Sequence, residues 1–195
     1  MPNNKQTCGW PGNDPLMIEY HDKEWGVPVH DDRKHFEFMV LDAFQAGLSW
    51  AIVLKKREGF RKAFDNFNID KVAVYGEKKI DQMLQDKEII RNRQKIMAAI
   101  HNARKVQEIQ KEFGSFDNYI WQFTGNKTKA NKWRSPEELP ATSPESDAMS
   151  NDLKKRGFKF VGSTICYAYM QAAGMVNDHL MNCYRHKELE NLYDV

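Results

Sequence analysis

Apolar residues recur along this chain at three- and four-residue intervals and never in sustained alternation, so the pattern predicts helices throughout. Asp14-Pro15 reads as an N-cap followed by proline at the first helical position, opening a short helix with Leu16, Tyr20 and His21. Asp31 or Asp32 caps the next one, in which Phe36, Met39, Val40, Ala43 and Phe44 recur at helical spacing and Gly47 marks the end. Ser49 opens a helix with Ile52, Val53, Phe60 and Phe64. Asp70 and Gly76 bracket a shorter piece, and Ile80, Met83 and Leu84 suggest another. Ile96, Ile100, Ala103, Val106 and Ile109 trace a long amphipathic helix closing near Gly114, after which Ser115 caps a short aromatic one.

The stretch from Thr124 to Pro144 is polar and proline-rich, and reads as a surface loop. Ser135-Pro136-Glu137-Glu138 within it matches a capping box, which predicts one helical turn. Ser143-Pro144 opens a helix ending at Gly157, and Ser163 opens another closing at Gly174. The reading is all-α, with compact connections and no internal repeat.

A chain of 195 residues with 41% hydrophobic and 12% aromatic content suits one domain with a substantial core. Its net charge of only +2 confines any nucleic-acid contact to local patches. Three distant cysteines form no disulfide framework, and Met1–Thr7 has no apolar leader segment, so a reducing, cytoplasmic setting is expected. No apolar run approaches the length of a membrane span.

Three constellations carry candidate chemistry. Cys8 and His21 form a C-x12-H pair, and His179 and Cys183 an H-x3-C pair whose side chains share one helix face. Spacing alone leaves two readings open: buried thiols with hydrogen-bonded histidines, or a zinc site joining the chain ends. Asp42 is the only polar residue between Phe38 and Phe44, on a segment apolar on nearly every face. It is either a structural carboxylate capping a helix or pairing with an arginine, or a pocket acid that recognises a polar or cationic ligand. Trp10, Tyr20, Trp25 and Trp50 crowd the same region, as core or as an aromatic cage. Basic clusters lie at Lys55-Lys56-Arg57 with Arg61-Lys62, at Arg91, Arg93 and Lys95, and at Lys154-Lys155-Arg156 with Lys159. The last two, at a helix start and a helix end, suit phosphate contacts, and Ile89 to Arg93 suits a hairpin on a DNA backbone.

Longer motifs then become recognisable: Cys8-Gly9-Trp10, Tyr20-His21-Asp22-x-Glu24-Trp25-Gly26-Val27-Pro28, Gln45-Ala46-Gly47-Leu48-Ser49-Trp50 and Val53-Leu54-Lys55-Lys56-Arg57. Ile89-Ile90-Arg91-Asn92-Arg93, Lys154-Lys155-Arg156-Gly157-Phe158-Lys159-Phe160-Val161-Gly162 and Asn177-Asp178-His179 follow in order. Together, almost to Cys183, they resemble the DNA-3-methyladenine glycosylase I family of helix-hairpin-helix glycosylases.

That resemblance implies one domain over residues 1–195. Residues 1–30 and 145–185 would form a lobe tied by one structural zinc ion on Cys8, His21, His179 and Cys183, and residues 31–125 a helix-hairpin-helix lobe. It implies monofunctional hydrolysis of the N-glycosidic bond of 3-methyladenine by base flipping, with double-stranded alkylated DNA as partner, free 3-methyladenine as product, and a monomer as the working form. Trp10, Met17, Tyr20, Asp42 and Trp50 would bind the base, with Asp42 and Tyr20 catalytic. Gly47, Leu48, Arg91, Arg93 and Lys154 would contact DNA, Leu48 as the wedge. Four positions depart from the family pattern: Asp42 in place of glutamate, Met17 in place of a pocket tyrosine, Phe44 as added bulk, and Glu88 in place of a hairpin glycine. They keep in view a glycosylase for another alkylated purine, and a non-catalytic DNA- or lesion-binding protein of the same fold.

Overall fold

The computed structural model describes residues 6–193. Most of the Met1–Thr7 segment, read above for a leader, and the last two residues of the expected 1–195 domain lie outside it. Local capping chemistry starts most of the helices. Asp14 accepts from Leu16 N and starts α1 (Pro15–Lys23). Asp31, rather than Asp32, accepts from Lys34 N and starts α2 (Asp32–Gln45). Asp32 caps at a distance instead: its carboxylate takes the backbone N–H groups of Phe116 and Asp117 at 2.9 Å, the N-terminus of α8 (Phe116–Trp121). Ser115 also caps α8, and Ser143 forms a reciprocal capping box with Ser146 at the start of α9 (Pro144–Lys155).

The single helix expected after Ser49 is broken at Lys56 into α3 (Trp50–Lys55) and α4 (Arg57–Ala63). Asn68, not Asp70, caps α5 (Ile69–Ala73). Then come α6 (Glu77–Gln85), a turn over residues 86–92, and the long α7 (Arg93–Phe113). The anticipated capping box at Ser135 does not form. Ser135 makes no side-chain cap, and Glu138 accepts from Arg134 N, leaving a 3-10 turn at Pro136–Glu138. Gly162 stands at the N-cap of α10 (Ser163–Ala172), which Ser163 opens as expected. The chain closes with α11 (Tyr184–Glu190).

The fold is mostly helical, as expected, with one small parallel ladder beside the helices: β1 (Lys129–Ala130) pairs with β2 (Val176–Asn177), joining Lys129 to Val176 and Ala130 to Asn177. Two residues per strand were too few for any period-2 signal. The ladder draws the polar 124–144 loop onto the body, so that Pro136 and Leu139 become walls of the cavity described below. No helix among the described residues is long and apolar enough to cross a membrane.

Helix α2 is the axis of the packing. Every residue from His35 to Phe44 is buried, against α3, α7, α8 and α10. Phe44 meets Phe60 edge-on at 4.7 Å, and the Phe64 and Phe67 rings stack at 5.7 Å, continuing an aromatic core. Phe44 therefore fills the core and adds no bulk to the cavity.

Candidate functional site

Three ionisable side chains lie on the buried stretch of α2, and burial obliges each to find partners. His35 finds two: Nδ1 lies 2.6 Å from the Tyr169 hydroxyl and Nε2 2.9 Å from Asp117. Glu37 accepts from Arg57 Nε at 2.7 Å, and Lys34 and Arg61 also pair with it. The Arg57 guanidinium meets Glu24 through both terminal nitrogens at 2.7 Å. Arg57 and Arg61, read above as part of a basic cluster, are thus spent inside the protein.

Asp42 is the exception. It is 3% exposed, and its Oδ2 has no hydrogen-bond partner. Neither structural explanation of this carboxylate holds, since it caps no helix and the nearby arginine is taken by Glu24 and Glu37. Burial pushes its pKa well above the usual carboxylate range, with Arg57 opposing weakly from a distance. Trp50 Nε1 is a second buried polar atom without a partner.

Both residues line one cavity of about 310 Å³, with Trp10, Met17, Tyr20, Trp25, Gln45, Pro136, Leu139, Ala168 and Gln171. All five residues expected to bind a base are among them. Tyr20 tilts against Trp50 at 5.2 Å between ring centres, and Trp10 meets Trp25 edge-on at 5.1 Å. Burial holds the Tyr20 hydroxyl in its protonated, donating form. An apolar, aromatic enclosure with a buried unpaired acceptor, Asp42 Oδ2, and a buried unpaired donor, Trp50 Nε1, suits a flat heterocycle with polar edges. The sequence reading missed Gln45, Pro136, Leu139, Ala168 and Gln171. Only Gln45 carried a signal, as the first residue of the Gln45-Ala46-Gly47-Leu48 motif.

Behind the Trp10 and Trp25 rings, Cys8, His21, His179 and Cys183 converge, all buried, with their ligand atoms within 4.8 Å of one another. Cys8 Sγ lies 3.5 Å from His179 Nδ1, and Cys183 Sγ lies 3.6 Å from both His179 Nδ1 and His21 Nε2. A tetrahedral ion with bonds of about 2.3 Å to sulfur and about 2.0 Å to nitrogen spans S···N edges of about 3.5 Å. The outward ring nitrogens are held by Asp22 at 2.7 Å and by the Trp25 carbonyl at 2.9 Å, which leaves His21 Nε2 and His179 Nδ1 as the ligand atoms. The four residues form a group that can hold a metal ion.

The turn from α2 to α3 exposes Gly47 and Leu48 beside the cavity; Gly47 adopts φ +81°, where a side chain would be strained. Arg91 and Lys154 are exposed and make no ion pair among the described residues. Arg93 pairs with Glu77 and Asp81, and Arg156 with Glu112 and Asp152. Lys95 is buried, so of the Arg91–Lys95 cluster only the first residue is a free cation. Glu88 is exposed in the 86–92 turn and does not occupy the left-handed region, so this turn tolerates a residue with a side chain.

The family model for methyladenine glycosylase matches residues 10–186. DNA-3-methyladenine glycosylase 1 of Escherichia coli (strain K12) is 47% identical over 178 residues, covering 91% of this chain and 95% of that protein. A crystal structure of 3-methyladenine DNA glycosylase I superposes with a TM-score of 0.89 at 47% identity, over 92% of this chain and 98% of the other. A tyrosine-to-phenylalanine variant of 3-methyladenine DNA glycosylase I in complex with 3-methyladenine gives a TM-score of 0.88 at 31% identity, over 91% and 96%. With the family's sequence pattern and its fold present together across nearly the full chain, the protein belongs to the methyladenine glycosylase family.

Proposed function

We propose that this protein is a DNA repair glycosylase that hydrolyses the N-glycosidic bond of 3-methyladenine in alkylated duplex DNA and releases the free base. The observation that carries the reading is the unpartnered Asp42 carboxyl inside an aromatic cavity. A target base inside the duplex is out of reach, so it must be flipped out before it can enter such a cavity. Methylation at N3 leaves the adenine cationic, which makes it a good leaving group without strong acid catalysis. The protein then has two tasks: to hold the extruded base and to let water reach the sugar C1′.

Tyr20 and Trp50 offer ring faces to a cationic base. Asp42 supplies an acceptor for the exocyclic amino group of adenine, and Trp50 Nε1 a donor for a ring nitrogen. Entry of a cation would favour the ionised form of Asp42 that the empty cavity disfavours. Trp10 and Met17 complete the walls. Leu48, 40% exposed, is the apolar wedge for the vacated stack, with Gly47 allowing the backbone to approach. We read α6, the 86–92 turn and α7 as the helix-hairpin-helix element, with Arg91 and Lys154 facing phosphates; Arg93 would reach one only by giving up Glu77 and Asp81. Zinc is the metal that fits the Cys8, His21, His179 and Cys183 donor set. With four protein ligands it leaves no position for water, so its role is structural. No lysine stands among the cavity walls, in keeping with a monofunctional hydrolase.

The test is incubation with methylated duplex DNA and chromatography of the released bases. Release of 3-methyladenine by the wild type, abolished in Asp42→Asn and Trp50→Ala, is the expected result. Duplex binding without base release would overturn it in favour of a binding module.

A further inference from the structure

Gln171 lines the cavity from α10, one turn beyond Ala168. Its backbone carbonyl accepts from Gly26 N at 2.9 Å and so holds the turn that carries Trp25. Its side-chain amide is anchored from behind. Nε2 donates to Asp178 Oδ2 at 2.7 Å. Asp178 is 1% exposed and also accepts from Asn131 Nδ2 at 2.7 Å, Trp133 Nε1 at 2.8 Å and the Tyr167 hydroxyl at 2.7 Å. Four donors fill the four acceptor positions of this carboxylate. It offers the amide no donor, so the amide meets it with nitrogen and not with oxygen. The other atom, Oε1, takes no hydrogen bond from any described residue.

We infer that Gln171 is a further specificity-determining residue, presenting Oε1 to the cavity as a second acceptor beside Asp42, with its polarity fixed by Asp178. This rests on the glycosylase reading above and names what that site discriminates. Two acceptors favour a purine with an amino group at C6, which donates. They oppose one with an oxo group there, which only accepts. The residue thus selects 3-methyladenine over 3-methylguanine, two lesions with the same methyl position and the same leaving-group chemistry.

The experiment measures both bases released from one methylated duplex at substrate concentrations below saturation, so that their ratio reports relative kcat/KM. Gln171→Met keeps the side-chain length and removes the amide. The expected result is a fall of about tenfold in the ratio of 3-methyladenine to 3-methylguanine. An unchanged ratio in an active Gln171→Met protein overturns the inference while leaving the glycosylase reading intact. Absence of 3-methyladenine release by the wild type overturns both. A second measurement needs no variant that must fold: the Gln171 side-chain carbonyl carbon resonance of the wild type, followed on addition of free 3-methyladenine. A downfield shift at saturation supports an Oε1 hydrogen bond to the base. A resonance that stays in place while the base binds overturns it.

Discussion

Lys95 reaches across the molecule to Ala46, its ammonium donating to the Ala46 carbonyl at 2.7 Å and to the Phe44 carbonyl at 2.9 Å. Both carbonyls lie at the C-terminal end of α2, where helical partners run out. One cation from the first turn of α7 thus closes the helix that carries Asp42 and steadies the turn that carries Gly47 and Leu48. This explains why a lysine from a basic cluster is buried: it serves a helix end and not a phosphate. Lys95→Met should lower unfolding free energy by about 2–3 kcal/mol, because one buried and one half-buried carbonyl lose a charged donor. Urea denaturation measures this; a change below about 0.5 kcal/mol, the scale of ordinary surface substitutions, would contradict it.

Asp42 should act on activity and on stability in opposite directions. Its folded-state pKa is raised by burial, so the folded protein holds this proton more tightly than the unfolded chain does. The stability it contributes is complete below the ordinary carboxylate pKa of about 4 and is lost as pH rises toward the raised value. Asp42→Asn stays neutral at every pH. The variant should therefore unfold at a higher temperature than the wild type at pH 7, with the gap closing as pH approaches 4. The paired carboxylates Glu24, Glu37 and Asp117, whose pKa values are lowered, destabilise both proteins alike in acid and cancel in the comparison. Thermal melts at several pH values decide it; a gap independent of pH would rule out the buried carboxyl as its source.

Metal removal should disable the cavity by loosening its wall. His21 directly follows Tyr20, and Trp25, whose carbonyl holds His179, lines the cavity itself. Elemental analysis should find about one zinc per chain. Structural zinc contributes on the order of 10 kcal/mol in small domains, so Cys183→Ser or prolonged chelation should lower the melting temperature sharply and weaken binding of 3-methyladenine. A metal-free protein that melts at an unchanged temperature would remove zinc from the fold.

What was legible in the sequence was local. Asp14, Asp31, Ser115 and Ser143 cap where the pattern put them, because an N-cap and its helix lie within four residues. Asp32 was ambiguous because its partners, Phe116 and Asp117, are remote in the chain. The break at Lys56 and the β1–β2 ladder left no periodic trace, being too short. Asp42 stood out because a carboxylate in an apolar run is conspicuous. Gln171 did not, since a glutamine on a helix is usually solvated. Its meaning comes from Asp178, two of whose other donors, Asn131 and Trp133, arrive from a loop that the ladder pins down.

Gly59 offers the sharpest test of how the 86–92 turn is held. It lies inside α4, where alanine should be favoured over glycine by about 1 kcal/mol on helix propensity alone. A Cβ at this position would, however, collide with the Glu88 carbonyl oxygen and stand 2.8 Å from its carbonyl carbon. Those are backbone atoms of the turn, which Lys56 also grips through the Lys87 carbonyl at 2.6 Å, so they cannot swing aside as a side-chain tip would. Gly59→Ala should therefore destabilise the protein, by about 1–3 kcal/mol as overpacking does, against the sign of its propensity. Displacement of the turn should also weaken duplex binding several-fold, measured by fluorescence anisotropy at fixed salt, while affinity for free 3-methyladenine stays unchanged because the cavity is untouched. A stabilised Gly59→Ala protein with wild-type duplex affinity would mean that α4 does not set the position of this turn.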